Sequence, residues 1–179
     1  MSLLDYPIGD HYPHEIPCVV EIPKGSRNKY EYDAGNNAFC LDRVLSSPLH
    51  YTTEYGFVPQ TLAADGDPAD VLIIMEEPTF SGCVLFARPL GLLKMADEKG
   101  DDCKVLAVPV RDKRFAGIQR LEDVSSNLLL EIEHFFTVYK TLDGLYPDLA
   151  GWEDEKQAAT YLLACHERFA QSRSLYLGN

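Results

Sequence analysis

The chain has 179 residues, of which 46% are hydrophobic and 25% are charged, and 28 acidic against 16 basic side chains give a formal net charge of −12. This composition excludes disordered and fibrous classes, and the length favours one domain, here placed over residues 1–179. Nucleic acid is not an expected partner, because binding to a duplex requires basic surface.

Targeting signals are not expected. Residues 1–13 carry Asp5 and Asp10 and lack the apolar centre of a signal peptide, and we find no apolar run long enough to span a membrane. The 5 cysteines form an odd number and include no C-x-x-C pair. They are therefore interpreted as reduced thiols, which predicts a cytoplasmic protein without membrane contact.

Short segments rich in β-branched and aromatic residues occupy the chain from about residue 15 to 110, and Gly, Pro and Asp separate them. The predicted strands cover residues 18–22, 29–33, 39–43, 55–58, 71–75, 83–93 and 104–109. Many short strands favour a closed and mainly antiparallel barrel.

The apolar spacing becomes helical after residue 120. Leu128, Ile132, Phe135 and Tyr139 follow one helical stripe, and residues 152–169 carry a second. We therefore predict an α+β fold in which two helices, within about residues 120–172, pack on the barrel. The remaining residues 172–179 are expected to form a frayed tail.

An acidic run at residues 65–70, D-G-D-P-A-D, leads directly into a predicted apolar strand. At ~4 Å and an effective dielectric constant near 20, each pair of like charges there would cost about 4 kcal/mol, so converging carboxylates would attract a cation. Hard oxygen ligands select Mg²⁺, Mn²⁺ or Ca²⁺. A solvated Asp-Gly turn remains an alternative, whereas an EF-hand is disfavoured because Asp70 stands where that loop needs Gly.

Further charges could join this run. A second acidic group at residues 97–102 precedes Lys104, and Lys29 and Glu31 share one face of a predicted strand. With Glu21 and Arg43 they would make a surface that carries both signs of charge. Such a surface suits a metal complex of a polyanion, because carboxylates hold the metals while Lys and Arg hold phosphate oxygens.

Several motifs together resemble one family. They are Lys29-Tyr30-Glu31, Tyr51 with Tyr55-Gly56-Phe57, the run at 65–71, the group at 97–104 and Tyr139-Lys140. In this order the chain is similar to soluble family I inorganic pyrophosphatase over about residues 3–170. The resemblance implies a five-stranded OB-like barrel with helices, Mg²⁺ as cofactor, and hydrolysis of pyrophosphate to two phosphates.

The resemblance also implies a role for individual residues. The implied metal ligands are Asp65, Asp70, Asp97, Asp102, Glu31 and Glu21. The implied substrate-binding residues are Lys29, Arg43, Tyr55, Lys104, Tyr139 and Lys140. Three of these, Lys29, Arg43 and Tyr55, are also expected to be catalytic. Asp67 would act as the general base, and Tyr51 would line the site.

Three departures from the family pattern bear on rate and affinity. Thr52 and Glu54 stand where Pro and Asn are common, and residues 142–149 lack a Lys that the family carries there. Glu54 would place a further negative charge beside Tyr55 and so weaken phosphate binding or recruit a cation.

Alternatives remain open at this point. A metal- or phosphate-binding protein without turnover would keep the same acidic cluster, and a nucleotide pyrophosphohydrolase would share the chemistry. The resemblance further suggests a homo-oligomer, with a hexamer favoured and His134 and Phe136 as candidate contacts.

Overall fold

The computed structural model describes residues 2–97 and 100–177. These residues form the strands β1 (Ile16–Ile22), β2 (Asn28–Asp33), β3 (Ala38–Val44), β4 (Glu54–Val58), β5 (Ala69–Ile73), β6 (Val84–Asp97), β7 (Gly100–Asp101), β8 (Lys104–Pro109) and β9 (Asp148–Asp154). Two α-helices, α1 (Ser126–Val138) and α2 (Glu155–Leu177), lie in the second half. None of the helices in the described ranges is long and apolar enough to cross a membrane.

Five strands close into a ring in the order β1, β4, β5, β8, β6 and back to β1. Every pairing in the ring is antiparallel except that of β5 with β8, which is parallel. Strands β7 and β9 extend the sheet along β6, and β2 pairs with β3 as a separate two-stranded sheet. The predicted α+β fold with a mainly antiparallel five-stranded barrel is confirmed.

The ring strands are buried on both faces because each helix covers one of two apolar clusters. Leu72 and Leu106 belong to the cluster that includes Phe135 of α1. Val71 and Val105, their neighbours in sequence, belong to the cluster that includes Leu162 of α2. Successive residues of a strand point to opposite faces, so β5 and β8 contribute to both clusters. Packing on both faces therefore fixes the middle of each ring strand, and this fixes the position of the side chains at the strand ends.

The second half differs from the prediction in its strand and in the limits of α2. Strand β9 lies in a region for which no strand is predicted, and it includes residues 152–154, the first three of the predicted second helical stripe. Gly151 has φ +98 and lies at the irregular register between β9 and β6, so glycine here shapes a strand. Helix α2 begins at Glu155, where Asp154 Oδ1 accepts the N–H groups of Lys156 and Gln157, each at 3.0 Å. It continues to Leu177, so the predicted tail from residue 172 is wrong up to that point.

Candidate active site

One cavity of about 700 Å³ lies where the barrel meets the β2–β3 pair, called the hairpin below (residues 28–44). Among the described residues its lining carries the carboxylates Glu21, Glu31, Asp42, Asp65, Asp67, Asp70 and Asp102. It also carries the cations Lys29, Arg43, Lys104 and Lys140, together with Tyr55 and Tyr139. All predicted site residues except Asp97 and Tyr51 therefore line one cavity, and the prediction that Tyr51 lines it is wrong. The side chain of Asp97 lies outside the part of the chain that the structure describes.

The acidic loop, residues 59–68, forms one rim of the cavity. Its tight turn uses Gly66 at φ +97, and the N–H of Asp67 donates to Asp65 Oδ1 at 3.1 Å. The N–H of Ala63 donates to the carbonyl oxygen of Asp67 at 2.7 Å, which closes the loop on itself. Asp65 and Asp67 are exposed, so the loop presents both carboxylates to solvent at the cavity.

A buried lysine lies between two carboxylates at the base of the cavity. The parallel register of β5 and β8 places Asp70 beside Lys104, whose side chain is only 2% exposed. Lys104 Nζ donates to Asp70 Oδ2 at 2.6 Å and also to Asp102 Oδ1. Burial lowers the pKa of Lys104, but the two carboxylates outweigh it and the pKa ends above its ordinary value. The lysine therefore stays charged and fixes both carboxylates.

Tyr55 supports the same carboxylate. Its hydroxyl donates to Asp70 Oδ2 at 2.6 Å, and burial, followed by the charge of Asp70, raises its pKa well above the ordinary value. The proton of Tyr55 is thus committed to Asp70 in this structure. Tyr51 packs behind it, with ring centroids 5.6 Å apart and 3% exposure, and is not part of the described cavity lining.

The hairpin supplies the opposite wall. Lys29 pairs across the strands with Arg43, and the register then passes to Tyr30 and Leu41, which makes Asp42 the extra residue of a bulge. Lys29 Nζ donates to Asp42 Oδ2 at 3.2 Å and also to Glu31. Simple alternation would have separated Asp42 from this face, so the sequence reasoning missed it.

Glu21 on β1 is a partly buried carboxylate of the cavity lining. Its Oε1 accepts the N–H of Tyr32 at 2.8 Å. Burial, reinforced by the negative charges of Asp70 and Glu31, raises the pKa of Glu21 to about 8. Burial first, and the neighbouring carboxylates second, therefore make Glu21 resist ionisation, and an added cation would offset both effects.

Helix α1 delivers the last two predicted residues. Tyr139 follows its final turn and stacks on Phe135 at 5.2 Å, and burial raises its pKa. Lys140 comes next, with Nζ 5.6 Å from the centre of the Tyr139 ring. The side chain of Lys140 is mostly buried, so its position is fixed by the fold.

Glu54 does not face the phosphate-binding side, contrary to the prediction. It is fully buried, and its two carboxylate oxygens accept the N–H of Thr79 at 2.7 Å and the Thr79 hydroxyl at 3.1 Å. Because neighbouring residues of a strand point to opposite faces, Tyr55 enters the cavity and Glu54 leaves it. None of residues 142–149 belongs to the described lining. Phe136, a predicted subunit contact, is 2% exposed and belongs to the core.

A divalent cation fits the donor set of the cavity by its chemistry. All candidate ligands are carboxylate oxygens, which are the ligands that Mg²⁺ prefers. Among the described residues, no group of three or more His, Cys, Asp or Glu is gathered as a metal-binding cluster. The ammonium group of Lys104 lies between Asp70 and Asp102 and occupies oxygens that would otherwise face a cation.

Comparison with known proteins places these residues in a known family. The family model described as inorganic pyrophosphatase matches residues 18–170. The chain belongs to the inorganic pyrophosphatase family. An inorganic pyrophosphatase of Halalkalibacterium halodurans is 47% identical over 157 residues, which cover 88% of this chain and 96% of the relative. One from Haloferax volcanii is 51% identical over 156 residues, covering 87% and 88%.

The fold agrees with this membership of the inorganic pyrophosphatase family. The crystal structure of the inorganic pyrophosphatase from Thermus thermophilus superimposes with a TM-score of 0.92 and is 43% identical. The superposition covers 95% of this chain and 99% of the Thermus thermophilus chain. The matched residues 18–170 include every predicted site residue from Glu21 to Lys140. Leu4 and Asp42 line the cavity without having been predicted.

Proposed function

We propose that the cavity hydrolyses inorganic pyrophosphate to two phosphates and that Mg²⁺ is the cofactor. The observation that supports this most directly is the charge of the cavity lining. Among the described residues, four cationic side chains and a larger number of carboxylates line one cavity of about 700 Å³. Pyrophosphate needs cations around its oxygens, and a metal needs the carboxylates. Family membership supports the same reaction.

Substrate binding falls to the side chains around the rim. Lys29 and Arg43 on the hairpin, together with Lys140 after α1, surround the cavity from two sides. Tyr139 adds a hydroxyl donor, whereas Tyr55 holds Asp70 through its own proton. Lys104 contributes positive charge from below while it fixes Asp70 and Asp102. These groups hold the two phosphate groups and offset the charge that develops during cleavage.

Asp67 is proposed as the general base. It lies at the exposed rim of the acidic loop, and its backbone is held by Asp65 and Ala63 while its carboxylate is exposed. A carboxylate in that place can accept the proton of the attacking water.

The metal-holding residues are proposed to be Asp65, Asp70 and Asp102, with Glu21, Glu31 and Asp97 in support. Bound divalent cations supply positive charge for the phosphate oxygens and acidify water. The raised pKa of Glu21, caused first by burial, fits a carboxylate that ionises fully only when such charge is added.

Phosphate release tests this assignment directly. The purified protein, given pyrophosphate and separately nucleoside triphosphate, should release phosphate from pyrophosphate in the presence of Mg²⁺ and stop in excess chelator. Ca²⁺ should inhibit, because it binds the same oxygens at longer distances and acidifies water less. Retention of Mg²⁺ and pyrophosphate without phosphate release would show a binding protein instead, and preferred nucleotide cleavage would show a nucleotide pyrophosphohydrolase.

Two further proposals concern the assembly of the chain and its place in the cell. We propose a single-domain chain that acts in the cytoplasm, consistent with the free state of Cys18, Cys40, Cys83, Cys103 and Cys165. We also propose a homo-oligomer, a hexamer in the favoured form, with exposed His134 and Leu130 of α1 at a contact. Sedimentation as a stable monomer at micromolar concentration would refute the assembly.

A further inference from the structure

An N-terminal segment runs along the cavity and contacts both of its walls. This strap, residues 2–6, contains a short helical turn, Leu3–Asp5, and Leu4 lines the cavity. The strap stands outside the barrel and the hairpin, and hydrogen bonds join it to the hairpin and to the acidic loop. Asp5 of the strap also forms an ion pair with Arg173 of α2. None of its residues is predicted to bind metal or substrate.

Tyr32 holds the strap to the hairpin. The hydroxyl of Tyr32 accepts the N–H of Leu3 at 2.9 Å and donates to Asn37 Oδ1, in the hairpin turn, at 2.7 Å. The hydroxyl has one proton, so the Ser2 hydroxyl at 3.2 Å is the donor in the remaining contact. The Tyr32 ring stacks on Phe57 of β4, with centroids 5.8 Å apart. Strap, hairpin turn and barrel therefore meet at one side chain.

Gln60 holds the other end of the strap to the acidic loop. Its N–H donates to the carbonyl oxygen of Leu4 at 2.9 Å, and its side-chain Nε2 donates to the carbonyl oxygens of Asp5 at 3.3 Å and Tyr6 at 3.2 Å. Gln60 has φ +54, a conformation that costs energy for a residue with a side chain. The fold keeps it in that conformation where it can reach three strap carbonyls.

Helix α2 fixes the acidic loop from the opposite side. Arg168 Nε donates to the carbonyl oxygen of Leu62 at 2.8 Å, and the N–H of Leu62 donates to the carbonyl oxygen of Cys165 at 2.9 Å. The Gln60 carbonyl oxygen lies 2.8 Å from His166 Nδ1. The loop end of the strap is thus tied to a firm support, whereas the hairpin is a two-stranded sheet with little stability of its own.

We propose that the strap is a bridge that sets the distance between the hairpin and the acidic loop, with Tyr32 and Gln60 as its two positioning residues. The inference rests on the proposed function, since the bridge would align the cations Lys29 and Arg43 with the carboxylates across the cavity. Gln60 lies outside the described cavity lining, and Tyr32 lines the cavity while its hydroxyl bonds to Ser2, Leu3 and Asn37. Loosening either end should weaken pyrophosphate binding, and it should slow the chemical step to the extent that Lys29 and Arg43 lose their alignment.

A double-mutant cycle separates a bridge from two independent contacts. Tyr32→Phe removes one hydroxyl and keeps the ring, and Gln60→Asn shortens the amide with a residue that tolerates positive φ. At saturating Mg²⁺ each variant should raise the KM for pyrophosphate by about 3- to 10-fold, the range for a lost hydrogen bond. Gln60→Asn keeps the backbone bond to Leu4, so it loosens this end without cutting it. The double variant should resemble the more impaired single variant, because loosening the second end of an already loosened bridge adds little.

Tyr12→Phe is the matched control. It removes a hydroxyl that donates to the Leu162 carbonyl oxygen of α2 at 2.6 Å, outside the strap. Its KM should equal that of the parent. Multiplying effects in the double variant, an unchanged KM in either single variant, or an equal rise in Tyr12→Phe would each overturn the bridge.

Amide hydrogen exchange tests the bridge without using activity. In Tyr32→Phe, exchange at the Gln60 N–H should become about 2- to 10-fold faster, although the substituted side chain is at the other end of the strap. An unchanged rate at Gln60 with faster exchange at Leu3 would show that the ends act separately. A parent protein that releases no phosphate would refute the proposed function, and the exchange result would still decide on the bridge.

Discussion

The two walls of the cavity carry the same kinds of charge in different surroundings. On the barrel wall, Lys104 is 2% exposed and its partners Asp70 and Asp102 are 21% and 15% exposed. On the hairpin wall, Lys29 is 20% exposed and its partner Glu31 is 55% exposed. The barrel wall belongs to strands buried on both faces, whereas the hairpin is a separate two-stranded sheet.

Because the two walls differ in exposure, similar ion pairs are expected to contribute differently to stability. An ion pair near water contributes little to stability because solvent screens it and ordering costs entropy. A buried lysine that loses its charge leaves its carboxylates without compensation, which costs several times more. The barrel charges are therefore expected to hold the structure as well as ligands, and the hairpin charges mainly to hold the substrate.

Asp67→Asn should give the largest loss, because it removes the proposed base and leaves both walls intact. The amide keeps the shape but cannot take a proton, so turnover should fall by about 10²- to 10⁴-fold. The rate of the variant should continue to rise toward alkaline pH, where hydroxide replaces the missing base. Steady-state assays across pH at several Mg²⁺ concentrations measure both effects.

Asp65→Asn and Asp70→Asn are the controls for Asp67→Asn. As proposed metal ligands they should require more Mg²⁺ and recover part of their rate when it is supplied. Rescue of Asp67→Asn by Mg²⁺ alone, or a parental rate in that variant, would remove Asp67 from the role of base.

Lys104→Met and Lys29→Met compare the two walls directly. Lys104→Met should lower the free energy of unfolding by about 3 kcal/mol, since it leaves Asp70 and Asp102 near each other without the buried ammonium group. Lys29→Met should change it by less than about 1 kcal/mol. Urea unfolding in chelator provides both values. Equal losses in the two variants would show that the walls do not differ as described.

Arg43→Ala should impair substrate binding without affecting the metal. Loss of one charge-assisted contact to phosphate should reduce kcat/KM by about 10- to 100-fold. Calorimetric titration of the free enzyme with Mg²⁺ should give the parental affinity, because Arg43 is on the hairpin and is not a proposed ligand. Arg43→Lys keeps the charge and should recover part of the activity. Loss of Mg²⁺ binding in Arg43→Ala would contradict this division of roles.

Local sequence patterns sufficed for the ring strands and for most of the site. The segment 65–70 precedes a buried strand, so Asp65, Asp67 and Asp70 could be placed at a strand end from sequence alone. The family motifs added the cations and tyrosines that no spacing rule could gather. Asp70 and Lys104 are 34 residues apart in sequence, and they meet only because β5 and β8 are neighbours in the closed ring.

Other features depended on tertiary structure. Strand β9 forms because β6 offers it an edge for pairing, and no local pattern in residues 148–154 predicts a strand. The bulge that turns Asp42 toward Lys29 leaves no mark in the alternation of the sequence. The direction of Glu54 was readable from period-two alternation with Tyr55, but its partner Thr79 was not, because a loop carries it.

Glu54 provides the smallest predicted effect and a test of the face behind the barrel wall. Burial raises its pKa above the ordinary 4.5, although hydrogen bonds from Thr79 oppose the shift. A raised folded-state pKa means that the native protein holds this proton more tightly than the unfolded chain. Native stability should therefore fall as pH rises from about 4.5 through the folded-state pKa.

Glu54→Gln removes this titration but keeps one acceptor for Thr79, so at pH 4 it should change the unfolding free energy by no more than about 1 kcal/mol. Relative to the parent, the variant should gain stability between pH 4 and pH 7. Glu77→Gln, exposed and on the same loop as Thr79, is the control for removing one carboxylate without changing the buried site. Parallel stability profiles for the parent and Glu54→Gln would mean that the pKa of Glu54 is the same in the folded and unfolded proteins, which would contradict the raised pKa. Activity measured on both proteins should be equal because Glu54 faces away from the cavity.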